Sequence, residues 1–361
     1  MKTIVYVSNE WFVDTDITVL AELSRVYTVH WLYYANFKSP RFDIGELKQY
    51  CKDNNIVLHL YECHSKQLSW SLFRLQWQFI KEIRKIKPDL VIRISFHIYW
   101  VLLSFLLRKY KTVYAFHDVI SHSNTKGGFI DDWCRNRIVR KNRNFILYSS
   151  SQYNYFVSKW HDKNVKNVGM SIKSFGISSK QPPLLSDGIK LLFFGRIERY
   201  KGLDLLINAL ESVAAKGISN IQLSVYGKGQ FWDQCENIIK NRNLYNLNIR
   251  FIENSELADI FSTHHFLALP YRDATQSGPL LIAANYGLPI LAPKLEGFMQ
   301  LYPTNAGVYY EGVEIEEALC KISRMTENEY AEIRSNVSKL KESLSPETIA
   351  ANYIDLFNSI I

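Results

Sequence analysis

At 361 residues, 47% of them hydrophobic and 14% aromatic, the chain is too long for one ordinary core and suits two globular domains with ring-rich surfaces or grooves. The net charge of +8 is uneven: residues 1–170 hold 25 Lys+Arg against 14 Asp+Glu, and the remainder 18 against 21. The first half therefore either attracts an anion (nucleic acid, an anionic membrane surface, a phosphorylated substrate) or is a solvated basic face. Five scattered cysteines without a C-x-x-C pair argue against a disulfide framework and for reduced thiols in the cytoplasm, and the opening MKTIVYVSNEW has too short an apolar run for a signal peptide.

In chain order, residues 2–8 read as a strand, 16–25 as a helix, 26–33 as a strand, 43–54 as a helix and 56–61 as a strand. A helix over 70–87 with a basic face stops at Pro88. A strand at 89–95, the apolar helix HIYWVLLSFLLRKY and a strand at 111–116 follow. Such alternation predicts parallel βαβ units in a doubly wound α/β sheet. The most hydrophobic window, 91–107, falls short of the roughly 20 residues of a spanning helix. It reads as strand plus buried helix, or as a helix dipping into a membrane interface through Tyr99, Trp100 and Phe105.

HDVISHSNTKGG (117–128) follows a strand, where doubly wound folds place their sites, so His117, Asp118 and His122 are candidates there. A lone histidine after a strand also serves as a structural hydrogen-bonder. The basic stretch FIDDWCRNRIVRKNRNF contacts phosphate or lipid headgroups, or is a solvated helix. FILYSSSQYNYFVSKW predicts strand, turn and helix, and ISSKQPPLLSDG (177–188) has a linker's composition. The expected organisation is a first domain over 1–170, a linker over 171–188, a second domain over 189–343 and a terminal helix within 344–361.

The second domain opens on LLFFGRIERYKGLD (191–204): an apolar strand, a turn carrying Arg196 and Lys201, and an amphipathic helix. A helix N-terminus with two cations suits phosphate, Arg by a bidentate fork and Lys as a point charge; the alternative is two solvated cations. QLSVYGKGQF runs from a strand into a Gly-x-Gly turn at Gly227, and NIRFIE (248–253) reads as a further strand before the helix SELADIFST. HFLALP predicts a strand and YRDATQ a loop, with Ser277 as N-cap of a helix that carries Pro279 and ends at Gly287. Gly278 would let backbone amides approach a ligand. A last strand at 307–310 precedes helices at 314–325, 327–343 and 346–359. Asp14-Thr15-Asp16 has the form of a D-x-D metal motif but the context of a helix start. Neither His117 with His122 nor Cys63 with His64 completes a four-ligand set, so no metal is expected.

The pattern G-R-x-x-x-x-K-G-L-D-x-L-I-x-A-L after an apolar strand resembles the opening of the C-terminal domain in glycosyltransferase family 4, the retaining group 1 enzymes. VYAFHDVISHS and the PYRDATQSGP loop are similar to that family's His-Asp turn and donor loop. The resemblance implies the GT-B fold: two Rossmann-like domains facing a cleft, the first binding the acceptor and the second the nucleotide sugar, with the terminal helix crossing back onto the first. It implies donor contacts at Gly195, Arg196, Lys201, Gly227, Ile252, Glu253, Asp273, Gln276, Ser277 and Gly278, acceptor contacts at His117, Asp118 and His122, and catalytic roles for His117, Arg196 and Lys201. It further implies no cofactor beyond a nucleotide diphosphate sugar, UDP-linked by expectation, and a saccharide or polyprenyl-diphosphate-linked acceptor in surface polysaccharide synthesis at the inner membrane face. The family's two glutamates, eight positions apart, are absent: Ala274 and Ile282 fall at their places, with Asp273 a substitute for the first. That departure leaves a non-catalytic nucleotide-sugar or glycan-binding protein as the alternative. A nucleic-acid-binding role is disfavoured, because no recognisable module accompanies the basic half.

Overall fold

Runs of Val, Ile, Leu and Tyr, buried on both faces, alternate with amphipathic helices, and that pattern builds two all-parallel sheets. The computed structural model describes residues 1–38, 42–63, 69–94, 97–117, 119, 129–180, 183–273, 277–312 and 314–361. The chain divides into one unit of Met1–Ser171 with Ser345–Ile361 and another of Ile172–Leu344.

In the first unit the strands are β1 (Thr3–Asn9), β2 (Thr28–Ala35), β3 (Val57–Glu62), β4 (Leu90–Arg93), β5 (Lys111–Phe116), β6 (Asn144–Leu147) and β7 (Asn164–Asn167). They lie in the order β3-β2-β1-β4-β5-β6-β7. The last strand, polar and short, escaped the sequence reading. The helices are α1 (Val13–Ser24), α2 (Ile44–Asp53), α3 (Trp70–Ile86), α4 (Ile98–Leu103), α5 (Phe129–Lys141) and α6 (Ser150–Lys159). α4 gives way to a 3-10 turn, Ser104–Leu107, so the apolar helix is shorter than expected. Leu72, Leu75, Phe79, Ile80 and Ile83 recur at helical spacing on α3 and are buried against this sheet's core.

Two buried polar centres mark the first unit. Arg93 ends β4 fully buried; its guanidinium lies 4.4 Å from the Trp100 ring and 5.3 Å from Phe79, and Nη2 donates to Gln76 Oε1 at 3.0 Å. Aromatic faces thus take part of the role of water around the charge. Asp16, the second acid of the D-x-D sequence, is a buried hydrogen-bond acceptor on α1. Tyr6 Oη donates to Oδ1 at 2.7 Å and Ser8 Oγ to Oδ2 at 2.5 Å. Burial raises its pKa to about 7, against the lowering effect of those two bonds. Between the ordinary carboxylate range and about 7, the native state therefore holds a proton that the unfolded chain has lost. The expected outcome is a first unit whose stability falls as pH rises from about 4 to about 7, by up to about 4 kcal/mol, and is flat above. Asp16→Asn should flatten the profile; denaturant melts at several pH values check this.

The second unit holds β8 (Ile189–Phe194), β9 (Ile221–Tyr226), β10 (Tyr245–Asn248), β11 (Phe266–Ala268), β12 (Ile290–Pro293) and β13 (Gly307–Tyr310), in the order β10-β9-β8-β11-β12-β13. Its helices are α7 (Leu203–Ala215), α8 (Trp232–Glu236), α9 (Asn254–Ser262), α10 (Gly278–Asn285), α11 (Glu296–Met299), α12 (Ile315–Ser323) and α13 (Glu327–Ser343). The expectation of a strand over 248–253 is corrected. β9 pairs with Tyr245–Asn248, and NIRFIE runs on past the sheet into α9. α7 places Leu203, Leu206, Ile207, Leu210 and Val213 in the core of this unit.

The last helix, α14 (Pro346–Asn358), belongs to the first unit, as the terminal crossover requires. Ser345 Oγ caps it by accepting from Thr348 N at 3.2 Å, and Pro346 occupies its first turn. Tyr353 Oη donates to Tyr148 Oη at 3.3 Å, and Tyr27 Oη to Asn358 Oδ1 at 3.2 Å.

Candidate functional site

In the second sheet, β8 has its chain successor β9 on one side and β11 on the other, which makes the ends of β8 and β11 the switch point where doubly wound sheets bind ligands. Three turns meet there, and glycine is what lets their backbones touch. Gly195, just after β8, has φ +118°, and Gly227, just after β9, has φ +149°. A Cβ on Gly227 would stand 1.9 Å from the Gly195 carbonyl oxygen, and one on Gly202 would stand 1.9 Å from that of Pro270. No side chain fits at either place.

Lys201 projects into the floor of this junction. A Cβ on Gly195 would lie 2.8 Å from its Nζ, and the Tyr271 ring centre is 5.2 Å from the same atom. Lys201 is only 8% exposed. Burial lowers its pKa to about 8, Arg196 pushes in the same direction, and Glu198, the only acid acting appreciably on it among the described residues, raises it less. Arg196 itself is exposed at the mouth. Two neighbouring cations, one desolvated and outweighing the one acid, are short of negative charge. The loop after β11 is held against the α7 turn by Arg272, which grips Asp204 through Nη1 at 2.9 Å and Nη2 at 2.6 Å; its backbone N–H donates to Tyr200 O at 2.7 Å.

The remaining donor-side candidates lie in the same unit with different roles. Ser277 stands at the N-cap of α10, but its hydroxyl makes no cap bond, which corrects the expected cap. It is buried beside Tyr271, whose phenol burial raises and the Ser277 hydroxyl partly lowers. Among the described residues a Cβ on Gly278 would meet nothing within 4 Å. Ile252 is buried, while exposed Glu253 starts α9, its N–H donating to Glu256 Oε1 at 3.0 Å. Asp273 is exposed. Ile282 packs in the core of α10 and offers no acceptor. Asp118, His122, Ala274 and Gln276 lie outside the described residues. His117 belongs to the first unit, between the Phe12 ring at 4.4 Å and the Tyr148 ring at 4.1 Å.

Sequence reasoning missed Tyr271, the platform under Lys201. It also passed over Phe251, 62% exposed with Lys228 Nζ 5.7 Å from its ring centre, beside the Gly227 turn. An exposed aromatic next to a Gly-x-Gly turn is the signal that could have found it. Among the described residues, no group of three His, Cys, Asp or Glu is placed to hold a metal, and no helix is long and apolar enough to cross a membrane.

Two sheets of this order in two units define the GT-B glycosyltransferase architecture. Residues 188–328, most of the second unit, match the family model described as Glycosyl transferases group 1. No curated protein matches the chain by sequence. Among solved structures, a glycosyltransferase from Rickettsia africae is similar at 12% identity and a TM-score of 0.73, over 99% of this chain and 98% of that one. Anabaena Alr3699/HepE, solved in complex with UDP and glucose, is 17% identical with a TM-score of 0.69 over 100% of both chains. Sucrose-phosphate synthase from Thermosynechococcus elongatus is 13% identical with a TM-score of 0.70 over 99% of both. At these identities the likeness is one of fold.

Proposed function

We propose that the protein is a retaining, metal-independent glycosyltransferase. It takes a sugar from a nucleotide diphosphate donor, UDP-linked, and passes it to a saccharide or polyprenyl-diphosphate-linked acceptor for surface polysaccharide. The observation that carries this reading is Lys201, buried beside Arg196 with little acid to balance the pair. Such a pair suits a diphosphate leaving group, whose charge grows as the glycosidic bond breaks; fixed cations and the first amides of α10 at Ser277 and Gly278 would stabilise that charge. The base would lie on the Phe251–Lys228 side, near Gly227, Ile252 and Glu253. Asp273 and Gln276 would serve the sugar. His117, with Asp118 and His122, would hold the acceptor on the first unit. HepE, solved with UDP and glucose, supports the choice of UDP. The reading places the enzyme in the cytoplasm at the inner membrane face, and it needs no cofactor beyond the donor.

Calorimetric and thermal-shift titration with UDP, GDP, ADP and their sugar conjugates tests this. One nucleotide, far above its Kd, should stabilise the wild type by roughly 2–4 kcal/mol and fail to stabilise Arg196→Ala. No shift with any of them would overturn the reading. Ile282, buried where the family carries its ribose-binding carboxylate, favours a second reading: a non-catalytic nucleotide-sugar binder. Nucleotide binding without donor hydrolysis or transfer would select it.

A further inference from the structure

A cavity in the first unit opens at the beginnings of β5 and β6, the opposite end of the strands from His117. It has a volume of about 840 Å³ and lies among α4, its 3-10 extension, the beginnings of β5 and β6, and α5. Five exposed cations line it: Arg108, Lys111, Arg137, Lys141 and Arg143. Among the described residues no Asp or Glu does. Exposed Asp131 and Asp132 precede Trp133 on α5, and Asp132 is paired with Arg135 at 2.8 Å; Lys111 Nζ donates to the Ile360 carbonyl. Three large apolar side chains share the rim: Leu102 and Phe105, each 53% exposed, and Trp133, 39% exposed.

The arrangement follows from helical spacing. Trp133, Arg137 and Lys141 stand four residues apart on one face of α5, and Leu102 and Phe105 stand three apart on the facing element. Arg108 follows Phe105 by three more residues, so each stripe presents apolar groups and a cation to the same opening. A site for free phosphate needs the cations but gains nothing from solvent-exposed Leu, Phe and Trp. An anionic bilayer uses both: headgroups meet the cations while the rings enter the interface. We infer that this face, built from α4, its 3-10 extension and α5, docks the protein on an anionic membrane surface. The inference rests on the inner-membrane-face location proposed above and is separable from the donor site, since every residue it uses lies in the first unit.

Flotation with lipid vesicles tests it on the full chain. The protein should float with vesicles containing about one-third phosphatidylglycerol and not with pure phosphatidylcholine, and millimolar inorganic phosphate should not release it. Reversing two cations, Arg137→Glu with Lys141→Glu, should weaken binding roughly 100-fold, since each surface charge contributes a few-fold. Phe105→Ser with Trp133→Ser should leave binding at low salt but lose it at physiological salt, where screening leaves the apolar insertion decisive. All four side chains are exposed, so the variants should fold and keep the nucleotide response of the wild type. Background flotation of the wild type, or flotation unchanged in both variants, would overturn the proposal. So would release by phosphate, which would make this a free-anion site, or tighter salt-sensitive binding to duplex DNA than to vesicles.

Discussion

Lys201→Met is expected to make the ligand-free protein more stable while weakening its binding of nucleotide diphosphates. The buried ammonium, with its pKa lowered to about 8, costs the native state about 3 kcal/mol relative to a free lysine. The Tyr271 face returns about 1 kcal/mol of that. Methionine keeps the length of the side chain over the ring without the charge, so the second unit should gain about 2 kcal/mol at pH 7. A lost charge-assisted contact to diphosphate should weaken UDP binding roughly 100-fold. The pH dependence has a defined sign. Between about 8 and the ordinary lysine value the unfolded chain holds a proton that the native state has released, so wild-type stability rises with pH across that window. Diphosphate affinity falls over the same window, because the free site must regain its proton to bind. Both trends should vanish in the variant. Melting curves and UDP calorimetry from pH 6 to 10 measure them (roughly two units either side of the shifted value); UDP affinity equal to wild type would remove Lys201 from the site.

Gly227→Ala is expected to destabilise the second unit by more than about 3 kcal/mol and to abolish nucleotide binding with it. The new methyl would stand 1.9 Å from the Gly195 carbonyl oxygen, a backbone atom with no room to move aside, and the residue would have to keep φ near +149°. Relief requires the turn after β8 to shift, and that turn positions Arg196 and Lys201. Gly278→Ala is the contrasting case. Its methyl meets no atom of the described residues within 4 Å, so stability should change by less than about 0.5 kcal/mol. If a diphosphate lies against the first turn of α10, binding should still fall. Chemical denaturation and UDP titration of the two variants separate a folding defect from a steric one at the ligand.

The alternating pattern of apolar strands and amphipathic helices was legible because both signals are local. Buried strands such as Leu191–Phe194 and the helical spacing of Leu203, Leu206 and Leu210 are visible within a few residues. The turn between them, with Gly195, Arg196, Lys201 and Gly202, was legible for the same reason. NIRFIE shows the limit: it has the alternation of a strand, yet the sheet pairs with Tyr245–Asn248, because register is chosen by the neighbouring strand β9. Polar β7 carries no apolar signal at all and exists because β6 offers it an edge.

The residue types of the site, and their order along the chain, were determined by the sequence alone. Their electrostatic state was decided only by the tertiary structure. That Lys201 is buried depends on Tyr271, brought over it by the pairing of β11 with β8. That Asp16 is a protonatable core group rather than a metal ligand depends on Tyr6 and Ser8, carried by β1 beneath α1. That two cationic stripes far apart in sequence share one cavity depends on α5 packing beside α4. Solvation and charge coupling act through space over a few ångströms, and segments remote in sequence supply the neighbours.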